Sequence, residues 1–232
     1  MSDLSRLGFW SAVLTCIFAA AALALGVFTP PLPSGCTNCT VYPYTGAASL
    51  FPAVSPFMYP ASLMVLTFAV LMACVYEGAP GDRRIYGLVA LCFALTCATV
   101  IAADYFIQLA VVQPSILKGE TEGLSLIILF NPHGVGIALE DLGYLMMSLS
   151  FLFAGMVFMG RSRLERAIRV IFTGSSLLAI AALVILSLLY GANLEDKFEV
   201  AVITVTWTAL IISGALLGMF YRRLGSSVAP TS

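Results

Sequence analysis

Charge is what this chain has least of. Only 10% of its 232 residues are Asp, Glu, Lys or Arg, against about 25% in an ordinary soluble domain. With 60% hydrophobic residues and a mean hydropathy of +1.01, too little polar surface remains to cover a water-soluble globule. A net charge of −1 gives no basic field to gather phosphates, so nucleic acid is excluded as a partner. The single histidine, His133, excludes a bis-imidazole haem or a three-histidine zinc centre within one chain. No lysine falls inside an apolar run, which excludes a retinal Schiff base of the usual kind. Walker loops, dinucleotide glycine fingerprints, serine nucleophile elbows and zincin motifs are missing as well, so no cofactor is expected.

What is present is a series of apolar runs. A membrane helix needs about 20 mainly apolar residues in succession to cross roughly 30 Å of hydrocarbon. Six runs qualify: Gly8 to Phe28, Phe57 to Tyr76, Ile85 to about Val112, about Val135 to Met159, Val170 to Tyr190 and Val200 to Tyr221. The expected fold is therefore all-α: a single integral membrane domain over 1–232, built as a six-transmembrane-helix bundle in the lipid bilayer. The first run also has the look of a secretory signal, with Ala22-Leu23-Ala24 as a small-residue cleavage pattern. Its length exceeds the roughly 7–15 residues of a signal core, and it is read as a span.

Basic residues stay on the cytoplasmic side. Arg6, Arg83, Arg84, Arg161, Arg163, Arg166, Arg169, Arg222 and Arg223 flank the runs on one side, and only Lys118 and Lys197 fall on the other. Both termini are thus expected in the cytoplasm, in a plasma membrane of prokaryotic type. The first outer loop, Thr29 to Pro56, is long and proline-rich. The second, Gln113 to Gly134, holds the apolar stretch Leu124 to Phe130, too short to cross and suited to an amphipathic lid or a re-entrant helix. The third, Gly191 to Glu199, reads as a plain acidic turn.

Ionisable residues inside spans are costly and mark function by default. Asp104 lies about 30 Å along the third helix from Arg84, and Glu140 and Asp141 lie equally far from Arg161, at 1.5 Å rise per residue. All three reach the outer boundary. Asp104 shares a helix face with Gln108, and Glu140 with Tyr144, so consecutive helices can bring these faces together. Asp104, Gln108, Glu140, Asp141, Tyr144 and His133 form the candidate binding set, with Glu199 at the mouth of the sixth helix able to join it. Carboxylates gathered so closely need a counter-charge or an altered titration, which points to a cation, a proton or a small polar solute. The competing plain reading has these side chains reaching headgroup water, with Asn131 capping the fourth helix ahead of Pro132.

Cys16, Cys74, Cys92 and Cys97 fall within spans, where a thiol behaves as a small hydrophobe. Cys36 and Cys39 lie in the first outer loop and are expected to form a disulfide that tightens it. Their C-x-x-C spacing also occurs in thiol exchange enzymes, but no helix start or neighbouring cation is visible to activate a thiolate. Gly214 and Gly218 form a small-xxx-small pair suited to close helix packing within the chain or in a homo-oligomer. The leading functional expectation is binding or transport of a small solute. An outer-leaflet enzyme and a membrane scaffold are the alternatives.

Overall fold

The computed structural model describes residues 2–28, 39–44, 46–160 and 162–227. Among them, regular structure is helical throughout, and six helices are long and apolar enough to cross a membrane. They are α1 (Asp3–Val27), α2 (Met58–Glu77), α3 (Arg84–Ile107), α4 (Val135–Val157), α5 (Arg163–Tyr190) and α6 (Glu195–Ser227). Each packs against the next, α6 packs against α1, and α4 reaches across the ring to α6.

Several helices start or stop outside the apolar runs. Ser2 caps α1, its side chain accepting from the Ser5 N–H at 3.3 Å, so the helix begins at Asp3 and not near Gly8. Ser162 caps α5, its Oγ accepting from the Glu165 N–H at 3.1 Å and donating to Glu165 Oε2 at 2.7 Å. Arg163, Arg166 and Arg169 therefore stand on the first turns of a helix, not in a loop. Hydropathy registers only the part of a helix that needs lipid, and polar end turns escape it.

The largest departure is at the end of α3. The second outer loop, expected from Gln113, begins only after Leu117, because the helix continues through a π turn at Gln108–Val112 and a short segment at Gln113–Leu117. Pro114 explains the detour. Proline has no N–H to donate and its ring crowds the carbonyl four residues back, so widening the preceding turn lets the chain stay helical. The helix expected within Leu124 to Phe130 is absent: a single 3-10 turn, Leu124–Leu126, is all that forms. Leu124 and Ile128 are instead buried against Tyr44, Ala47, Val112 and Ile116, in a small apolar core separate from that of the bundle. The two longest connections thus fold together as a cap.

Lipid is as apolar as leucine, so the helices are held by close packing and by polar bonds between them. Ser150 Oγ donates to the Ala90 carbonyl at 2.8 Å, joining α4 to α3, and Ser176 Oγ donates to the Ser148 carbonyl at 2.6 Å, joining α5 to α4. Between α1 and α2, Thr15 Oγ1 donates to Thr67 Oγ1 at 3.0 Å. Gly214 faces α1: a Cβ there would sit 3.0 Å from the Ala12 carbonyl oxygen. Helix contact within the chain accounts for that glycine.

The two ends of the bundle differ. Arg83, Glu165 and Leu224 border one common hollow, and Leu4 approaches Gly78, so the termini and the 2–3 and 4–5 connections share one end, here the arginine end. The capping loops lie at the other, the loop end.

Candidate functional site

At the loop end, α3, α4 and α6 each contribute a carboxyl group. Asp104 on α3 and Glu140 on α4 are each 1% exposed. Glu199 lies within hydrogen-bonding reach of Glu140, and its charge acts on Asp104 as well. The turn expected over Gly191 to Glu199 ends early, because α6 starts at Glu195; this places Glu199 on a helix with Phe198 buried beside it. Helix geometry, not loop flexibility, aims Glu199 at its partner.

Glu140 accepts a hydrogen bond from the Tyr105 hydroxyl, which also pairs with the Tyr144 hydroxyl at 2.9 Å. All three side chains are buried. Aromatic contacts continue the set: Phe57 meets the Tyr105 ring edge-on at 5.8 Å and the Trp207 ring at 6.5 Å, and Trp207 meets Tyr144 at 6.1 Å. Four aromatic rings from α3, α4, α6 and the entry to α2 thus close a box beneath the carboxyl groups. The indole N–H of Trp207 lies near Tyr144 but has no hydrogen-bond partner among the described residues, and neither has Asp104 Oδ2. Buried polar atoms without partners are rare and call for a reason.

Above the box is a cavity of about 290 Å³. Phe51 and Val54 wall it from the first connection, and Ile128, Leu129 and Phe130 roof it from the second. Its polar lining comes from Gln108, Glu140 and Glu199. The roof is tied down by Gln108, whose Nε2 donates to the Ile127 carbonyl at 2.6 Å. Gly136 lets the roof come so close, since a Cβ there would sit 3.1 Å from Gln108 Nε2 and 2.9 Å from Leu129.

Of the six residues singled out from sequence, Gln108 and Glu140 line the cavity, and Asp104 and Tyr144 are buried behind it as neighbours of Glu140 and Tyr105. Asp141 and His133 belong to neither set. Asp141 follows Glu140 by about 100° around the helix and is half-buried on another side. His133 is exposed in the turn before α4, its backbone N–H donating to Asn131 Oδ1 at 3.0 Å. Asn131 does not cap α4: its amide donates to the Ser125 carbonyl at 2.7 Å, and Gly134 is the cap residue. Tyr105, Phe57 and Trp207 were not singled out. The i, i+3 spacing of Tyr105 and Gln108 was the available signal. Phe57 and Trp207 are close to the others only in three dimensions.

No protein-family model, curated protein or solved structure matches this chain.

Among the described residues, no three His, Cys, Asp or Glu side chains converge as ligands for a metal ion. The expected Cys36–Cys39 bridge depends on Cys36, which lies outside the described residues. Cys39 is 3% exposed, with its sulfur 3.3 Å from the Gly46 carbonyl oxygen and 3.5 Å from Ser49 Oγ.

Proposed function

We propose that this multi-pass membrane protein binds a small organic cation in the cavity at its loop end. One observation carries the reading: Glu140 and Glu199 line the same mostly apolar cavity, within hydrogen-bonding reach of each other and close to Asp104. Carboxyl groups gathered away from water are stable only with a proton or a cation among them. Glu140 has the carboxyl groups of Glu199 and Asp104 as neighbours, and the Lys197 ammonium on the same helix as Glu199 stands over the Tyr190 ring at 5.1 Å. An organic cation suits the site better than a metal ion, because the walls are aromatic and aliphatic and the ligand set for a metal is lacking. The distribution of arginines supports a non-cytoplasmic position for this end.

Titration calorimetry of the purified protein with butylammonium tests the proposal. Saturable binding that weakens at least tenfold in Glu140→Gln is expected. An unchanged affinity in that variant, or no binding by the wild-type chain, would remove it.

A further inference from the structure

A second hollow of about 290 Å³ adjoins the cavity and shares Gly26, Phe57 and Glu199 with it. Its walls are otherwise the last turns of α1 and the first turns of α6: Leu23 and Val27 on one side, Val200 and Ile203 on the other, with Trp207 at the back. Val27 and Val200 are exposed, and both helices are long and apolar enough to cross a membrane, so this hollow opens sideways toward acyl chains. Gly26, also exposed, stands where the two hollows meet, and a Cβ added there would touch nothing within 4 Å. A route therefore runs from the side of the bundle, past Gly26, to Glu199 and Glu140.

The chemistry along that route changes once, from aliphatic to anionic. It begins with Val and Leu side chains, passes the Phe57 and Trp207 rings and ends on carboxyl groups. Asp104 Oδ2, buried without a hydrogen-bond partner among the described residues, adds an unused acceptor behind them. A water-borne ion would have no use for the aliphatic half, and a neutral lipid tail none for the carboxyl half.

We infer that the occupant is an amphiphilic ammonium that enters from the bilayer between α1 and α6, its headgroup on Glu199 and Glu140 and its alkyl tail in the sideways hollow. This rests on the cation-binding reading above and adds the ligand's class and path.

The test uses the full chain in phosphatidylcholine nanodiscs. The protein has two tryptophans, and Trp10 is exposed elsewhere on α1, so Trp10→Phe leaves Trp207 as the only indole, excited selectively at the red edge of its absorption. The probe is dibromododecylammonium, whose bromines quench indole at contact. Saturable quenching is expected, displaced by dodecylammonium at concentrations at least tenfold below those needed with butylammonium. It should be lost in Gly26→Leu and weakened at least tenfold in Glu199→Gln. Should Glu199→Gln fail to fold, Ile203→Phe, which only narrows the hollow, should weaken quenching in its place.

Equal displacement by butylammonium together with unchanged quenching in Gly26→Leu would overturn the lateral route while leaving the cation pocket intact. Equal saturable quenching by dibromododecyl sulfate would show an acyl groove without charge recognition and overturn the inference. Absence of saturable quenching, with no butylammonium binding by calorimetry, would remove both readings.

Discussion

At the arginine end, charge is left in water: Arg84 pairs with Glu77 at 3.1 Å while 52% and 62% of the two side chains stay exposed. At the loop end, Asp104 and Glu140 are taken inside and surrounded by aromatic rings. Space follows the same division. A Cβ on Gly8 would lie 2.6 Å from the buried ring of Tyr221, whereas a Cβ on Gly26, at the other end of the same helix, would meet nothing. Along α1 the arginine end is tightly packed and its Arg84–Glu77 pair solvated; the loop end has room beside Gly26 and takes Asp104 and Glu140 inside. A protein that only had to persist in a membrane could have built both ends like the first. The difference is what makes the loop end the candidate site.

The comparison breaks most sharply at the glycines of α1. Gly8→Ala forces a methyl group into the Tyr221 ring and is expected to cost about 2–3 kcal/mol through overpacking, read by reversible unfolding in mild detergent. A loss below about 0.5 kcal/mol would mean the arginine end is looser than the Gly8–Tyr221 contact implies. Next comes Tyr105→Phe, which deletes the hydroxyl shared by Glu140 and Tyr144 and leaves both with one partner fewer in a buried site. About 1–2 kcal/mol of stability should go, and ammonium binding should weaken. Unaltered stability together with unaltered binding would show the hydroxyl network to be incidental.

Gly26→Ala should act in the opposite direction from Gly8→Ala, gaining about 0.5–1 kcal/mol from the lower backbone freedom of alanine in a helix with no clash to offset it. A destabilised variant would contradict the open space assigned to that position. Smallest is Arg84→Ala. Removing one partner of an exposed pair should change stability by less than about 0.5 kcal/mol at moderate salt, and a larger loss would mean that the arginine end also relies on charge pairing.

Much of this was legible in the residues alone. Six apolar runs announced six helices, and counting 1.5 Å per residue from the flanking arginines brought Asp104 and Glu140 to one level. The one-dimensional pattern was less reliable wherever local chemistry competed with hydropathy. Leu124 to Phe130 looked like a short membrane-seeking helix, but its apolar side chains found partners in the first connection and in the end of α3, and became a roof. Gln113 to Leu117 looked like loop because the apolar run ended near Val112, yet a π turn accommodated Pro114 and the helix went on. Asp141 sits next to Glu140 in the chain and is turned away from it in space.

Sequence by itself determined the apolar character of the chain, the number of helices long and apolar enough to cross a membrane and the level at which acidic groups stand along them, because each of these depends on the identity and spacing of residues along one helix. Tertiary structure alone decided which acidic groups meet. Whether Glu199 reaches Glu140, whether Phe57 and Trp207 complete a box with two tyrosines, and whether Gly26 leaves a passage between α1 and α6 all depend on the rotation and approach of separate helices. Those are set by side-chain packing across the ring, where residues far apart in the chain become neighbours, and no count along a single helix contains that information.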